Sequence, residues 1–268
     1  MSSLPSLKEI GEAFQNKDSC IDYLIRENVL LVPQTCIICG GNVKRYSSSL
    51  RCTNNNCHKY SSIFNDTIFS NLKTECHIVL KMAYLLLIDV KSTAIRTMFG
   101  LSERAVRDIS EKIYGIFTIS AESIPKQIGG NGIVIEIDES IFGKVKYHRG
   151  HRVDGVWVLG GVERTPEKRT FLIVIEDRTK DTLENFIVKY VKPGSIIHTD
   201  CWKSYSSLTS LGYQHYVVNH SKNFKDPITG THTNTIEGTW NGVKMQTPAL
   251  NRTKLQIGKF LDKYVWKK

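Results

Sequence analysis

From residue 132 onward the chain is built of strand-length apolar runs in a restrictive order. Residues 132–138, 155–162 and 169–175 are each too short for a buried helix, and turn-prone segments separate them. An amphipathic stretch, 181–190, then reads as a helix, and 195–199 as a short fourth strand. A second helix is expected over 204–211, a strand over 213–218, and a closing helix over 253–266. Three strands, a helix, a strand and then further α/β elements leave few topologies open.

That order is the order of a ribonuclease H-like domain, a mixed sheet with flanking helices, expected over 130–268. Acidic residues fall at telling points of it. Asp138 follows the first apolar run, Asp200 ends the fourth strand, and Glu237 sits where a later helix begins. Two carboxylates at strand ends and one on a helix can converge on a pair of divalent cations, the arrangement used to cut and rejoin phosphodiesters. Hard oxygen ligands suit magnesium or manganese. Taken singly, each acid reads better as a turn or surface carboxylate than as a ligand; their joint placement reverses that reading. Lys244 lies seven residues beyond Glu237, close to two helical turns, so the pair shares a face on which the lysine either holds a DNA phosphate or is merely solvated.

The first half has a different character. Residues 1–32 read as a short helical segment, and 33–65 as a turn-rich module holding Cys36, Cys39, Cys52 and Cys57. Cys36-Ile37-Ile38-Cys39-Gly40-Gly41 is a knuckle that places two thiolates on a tight turn. A hairpin over 43–50 returns Cys52 and Cys57 to it, which predicts a zinc ribbon with one structural zinc. The alternative is a set of reduced structural cysteines. Seven cysteines and no secretory leader argue against a disulfide framework and for a reducing, intracellular setting.

Residues 74–119 give helix, glycine-containing turn, helix. Gly100 suits the turn and Ser102 is a good N-cap. This is the outline of a helix-turn-helix, with Arg104 and Arg107 near the start of the second helix, where DNA would be met. A plain helical hairpin with solvated arginines has the same pattern. A net charge of +10 favours a polyanionic partner or reflects only a lysine-rich surface. No apolar run approaches a membrane span.

Several blocks resemble a known family. Ile135-Glu136-Ile137-Asp138-Glu139-Ser140-Ile141-Phe142-Gly143-Lys144 is similar to the first catalytic block of Merlin-type DDE transposases and related bacterial insertion-sequence transposases. The 157–164 block is similar to the one that follows in those enzymes, and His198-Thr199-Asp200-Cys201-Trp202-Lys203-Ser204-Tyr205 resembles their second catalytic block. Asn219-His220-Ser221, Phe224, the 232–240 block and Lys244 resemble the last. The resemblance implies that Asp138, Asp200 and Glu237 bind two catalytic magnesium or manganese ions, with Asn234 as a fallback ligand. It implies nicking of transposon ends by water and joining of the 3′-hydroxyl to target DNA. The expected partners are double-stranded DNA, as terminal inverted repeats and target, and further copies of the chain. The location would be the nucleus in a eukaryotic host and otherwise the cytoplasm or nucleoid. Arg149, His151 and Arg152 form a basic stretch placed to meet phosphates or to lie solvated in a loop. The competing reading is a catalytically silent, sequence-specific DNA-binding protein derived from a transposase; a nuclease without strand transfer is a third.

Overall fold

The structure, a computed structural model, describes residues 5–124, 126–143, 155–200, 203–218 and 231–268. The chain divides into two compact units, Met1–Ile113 and Tyr114–Lys268.

In the first unit, α1 (Leu7–Ala13) starts at a capping box in which Ser6 and Glu9 satisfy each other's backbone N–H. Asn16 caps α2 (Lys17–Arg26), accepting from the Ser19 N–H at 3.0 Å. A three-stranded antiparallel sheet follows: β1 (Val43–Tyr46), β2 (Ser49–Cys52) and β3 (Tyr60–Ser62). The hairpin was expected; β3, only three residues and wholly exposed, carries no apolar alternation that would announce it. Then come α3 (Cys76–Leu87), α4 (Ser92–Phe99) and α5 (Glu103–Ser123), the last running on into the second unit. Gly100 ends α4 in the left-handed conformation, and Ser102 accepts from the Ala105 N–H at 3.2 Å to start α5.

The second unit is a five-stranded mixed sheet. In chain order the strands are β4 (Val134–Phe142), β5 (Val156–Glu163), β6 (Thr170–Ile175), β7 (Ile196–Asp200) and β8 (Gln214–Val218), and across the sheet they run β6-β5-β4-β7-β8. β4, β5 and β6 pair antiparallel, whereas β7 and β8 continue parallel to β4. Helix α6 (Lys180–Tyr190) supplies the crossover that a parallel neighbour requires. One face of the sheet packs Ile135, Ile137, Leu159 and Ile197 against Leu183 and Ile187 of α6 and against Tyr205. The other packs Phe142, Val158 and Leu172 against Ile236, Trp240 and Val243 of α7 (Asn234–Gln246) and Leu261 of α8 (Ile257–Trp266).

Two expectations change. The helix expected over 204–211 is two separate 3-10 turns, Lys203–Tyr205 and Leu208–Leu211. Its serines divert their hydroxyls to Arg178 O, Glu184 and Ser207 O rather than leaving the backbone to an α-helical ladder. The first strand also runs beyond Asp138 to Phe142, because Glu139 to Phe142 continue pairing with Leu159 to Val156. Asp138 therefore lies in the middle of its strand, not at its end.

Candidate functional site: carboxylates on the α7 face of the sheet

Alternation along β4 puts Glu136, Asp138 and Phe142 on the face that meets α7, and Ile135 and Ile137 on the other. β7 lies parallel to β4 with Glu136 opposite His198. Asp200, the last residue of β7, follows two residues after His198, and its charge reaches Asp138. Glu237 comes to this place on the first turn of α7.

The electrostatics agree with that convergence. Asp138 is pushed up to about 6, first by burial, with the charges of Asp200 and Glu237 adding to it. The Trp240 indole N–H opposes the shift by donating to Asp138 Oδ2 at 3.0 Å. Trp240 fits there because Gly160, opposite Asp138 in register, has no side chain. A Cβ at Gly160 would stand 2.6 Å from the indole ring. The charges of Asp200 and Glu237 both reach the largely buried Asp138, although among the described residues only the four cysteines bring ligand atoms close enough together to hold a metal ion.

A buried anchor fixes α7 to β4. Glu136 is fully buried, and its carboxylate accepts from Arg164 Nε at 2.5 Å, Thr235 N at 2.7 Å, Thr235 Oγ1 at 2.8 Å and Ile236 N at 3.0 Å. Two of these donors are unpaired amides of the first turn of α7, so a strand residue serves as the helix cap. His232 Nδ1 lies 3.3 Å from the same carboxylate. His198 beside it is held down to about 4, by burial first and then by the Arg164 charge. Sequence reading passed over Glu136, although a glutamate between two isoleucines in a buried strand demands partners.

Glu139 was passed over as well. It is pushed up to about 7, by burial first, with the charges of Asp138 and Asp200 raising it further. The buried Tyr205 hydroxyl donates to one of its oxygens, and Arg178, packed over the Trp157 ring at 3.9 Å, lies 3.9 Å from the other.

The remaining expected residues are dispersed. Asn234 is the exposed first residue of α7, one turn before Glu237. Lys244 sits over the Phe142 ring, its Nζ 5.4 Å from the centroid. Arg104 and Arg107 are exposed on the first turns of α5, with Asp108 at 3.7 and 3.9 Å. Arg149, His151 and Arg152 lie outside the described residues, as do Cys201, Trp202 and residues 219–230.

In the first unit, Cys36, Cys39, Cys52 and Cys57 bring their sulfur atoms within 4.8 Å of one another, a group able to hold a metal ion. Cys36 is held down to about 7 by the backbone N–H groups of Ile38 and Cys39, the knuckle geometry that favours a thiolate. A side chain at Gly41 would press on Asn54 at 3.0 Å and on the Cys39 and Cys52 sulfurs at 3.4 Å. Among the described residues no helix is long and apolar enough to cross a membrane.

The second unit is a mixed α/β fold, a five-stranded sheet flanked by helices. Residues 129–266, just over half the chain and including all three acids, match the ISXO2-like transposase domain, and the chain belongs to that family. An uncharacterized transposase-like protein of Haemophilus influenzae is 30% identical over 83 residues, covering 31% of this chain and 66% of that protein.

Proposed function

We propose that the chain is a DDE transposase that cleaves transposon-end DNA and joins the freed 3′-hydroxyl to target DNA. The observation that carries this reading is that the charges of Asp200 and Glu237 both act on the buried Asp138 within a transposase-family domain. The sheet order β6-β5-β4-β7-β8 supports a ribonuclease H-like catalytic domain. The four-cysteine module supports a zinc ribbon, and α4 and α5 a helix-turn-helix-like element presenting Arg104 and Arg107.

Asp138, Asp200 and Glu237 would hold two magnesium or manganese ions. When bound, such a pair stabilises charge on the attacking and leaving oxygens of an in-line displacement. The chain's own residues do the positioning. Trp240 fixes one oxygen of Asp138. Glu136 sets the depth and rotation of the α7 turn that carries Glu237. Lys244, on the same helix face as Glu237, offers a cation to a phosphate beside the carboxylates.

The test is a strand-transfer assay with the full chain, magnesium and DNA bearing the element's terminal repeats. Cleaved ends and joined products are expected from the wild type, and neither from Asp138→Asn, which should still bind the ends. End binding without cleavage by the wild type would identify a silent DNA-binding derivative instead. Cut ends that are never joined would identify a nuclease.

A further inference from the structure

From Asn28 to Asn65 the chain contains no Asp or Glu, while Lys44, Arg45, Arg51 and Lys59 fall within it. The small sheet of the first unit sorts this segment into two faces. Val43, Arg45, Leu50 and Cys52 alternate onto the inner face, where Leu50 and Cys52 are buried and Arg45 donates to Asp22 of α2 at 2.6 Å. The outer face takes Lys44 and Tyr46 from β1, Ser49 and Arg51 from β2, and Tyr60 and Ser62 from β3. The register aligns Lys44, Arg51 and Tyr60 in one row across the strands, and Tyr46, Ser49 and Ser62 in the next.

Tyr46 and Tyr60 are 56% and 59% exposed, high values for aromatic side chains on a sheet. Arg51 packs its guanidinium 5.3 Å from the centre of the Tyr60 ring, which leaves the other ring face open. The strand spacing and rise put the two tyrosines about 12 Å apart across the face. A face with two open rings, two cations between and beside them, and no acid from its own strands has the chemistry of a stacking platform for unpaired bases with phosphate contacts alongside.

We propose that this outer face binds single-stranded DNA, with Tyr46 and Tyr60 stacking on bases and Lys44 and Arg51 on the intervening phosphates. Charge complementarity argues for a polyanion. The open rings argue against an intact duplex, whose base faces are already stacked on one another. The proposal rests on the transposase reading only for DNA as the partner; the surface belongs to the first unit and uses none of the carboxylates, and binding requires no cleavage.

Fluorescence anisotropy of the zinc-loaded full chain, with a labelled short oligothymidylate and a duplex of equal length, tests it. Tyr46→Ala and Tyr60→Ala should each weaken single-strand binding about five- to hundredfold, the range for loss of one stacked base. Tyr46→Phe and Tyr60→Phe, which keep the ring, should retain wild-type affinity, and duplex binding should hold for all four variants. Unchanged zinc content and melting temperature establish that each variant is folded. The proposal is overturned if the alanine variants bind the single strand as the wild type does. It is also overturned if single-strand and duplex binding fall together, or if the phenylalanine variants lose as much as the alanine ones.

Discussion

Replacing Glu136 with glutamine changes one atom at the point where α7 is tied to the sheet. The two carboxylate oxygens take four hydrogen bonds: Oε1 accepts from Arg164 Nε and Thr235 Oγ1, and Oε2 accepts from Thr235 N and Ile236 N. A glutamine amide must place its NH2 toward one of these pairs. Turned toward the helix, it opposes two backbone N–H groups; turned toward Arg164, it opposes a guanidinium. Neither orientation satisfies the site, and the Arg164 charge, only 22% exposed, loses its partner. Breaking a buried ion pair in this way costs about 3–5 kcal/mol. That is a large part of the roughly 5–15 kcal/mol that holds a typical domain together. Urea unfolding of the wild type and Glu136→Gln measures the loss directly. A Glu136→Gln/Thr235→Val cycle isolates the share carried through the helix start. Cleavage under conditions where both proteins are fully folded should fall further than stability alone explains, because Glu237 follows the anchored turn. Unfolding midpoints and cleavage rates equal to those of the wild type would refute the anchoring argument.

Other outcomes follow from the same geometry. With zinc retained and no magnesium added, Asp138→Asn should be more stable than the wild type at neutral pH. The folded protein holds Asp138 at about 6 against an ordinary 3.8, so its relative stability is present below pH 4 and is lost as pH rises through 6. At about 1.4 kcal/mol per pKa unit the full effect is at most about 3 kcal/mol, read as a melting-temperature gap that opens over that window. Gly160→Ala should cost about 1–3 kcal/mol by forcing the indole of Trp240, 2.6 Å from the new Cβ, away from Asp138, and should depress cleavage along with the melting temperature. Cys39→Ser should abolish the bound zinc measured by metal analysis and raise proteolytic sensitivity around residues 43–62, since four thiolates define the site.

The strands were legible because their apolar runs are short, bounded and β-rich. Alternation carried more than was taken from it. In Ile135-Glu136-Ile137-Asp138 it sets both acids on one face, where Glu136 anchors α7 and Asp138 accepts from the Trp240 indole. What remained illegible depends on distant partners. Nothing local to Glu139 announces Tyr205 and Arg178, and nothing local to Gly160 announces an indole arriving from 80 residues away. The 3-10 turns at 203–211 were misread as helix because their apolar spacing is helical while their serines bond elsewhere. The position of Asp138 within its strand was misjudged because the continuation, Glu139-Ser140-Ile141-Phe142, pairs as strand despite its polar start.

The central claim is that Asp138, Asp200 and Glu237 form one cation site for phosphoryl transfer. Manganese binding followed by electron paramagnetic resonance, on the zinc-loaded chain with terminal-repeat DNA present, tests it most directly. The wild type should bind two manganese ions, and Asp138→Asn, Asp200→Asn and Glu237→Gln should each lose at least one, whereas Asn234→Ala should bind as the wild type does. Undiminished manganese binding by the three acid variants would contradict the claim. Loss on Asn234→Ala with retention on Glu237→Gln would contradict the assignment of the third ligand.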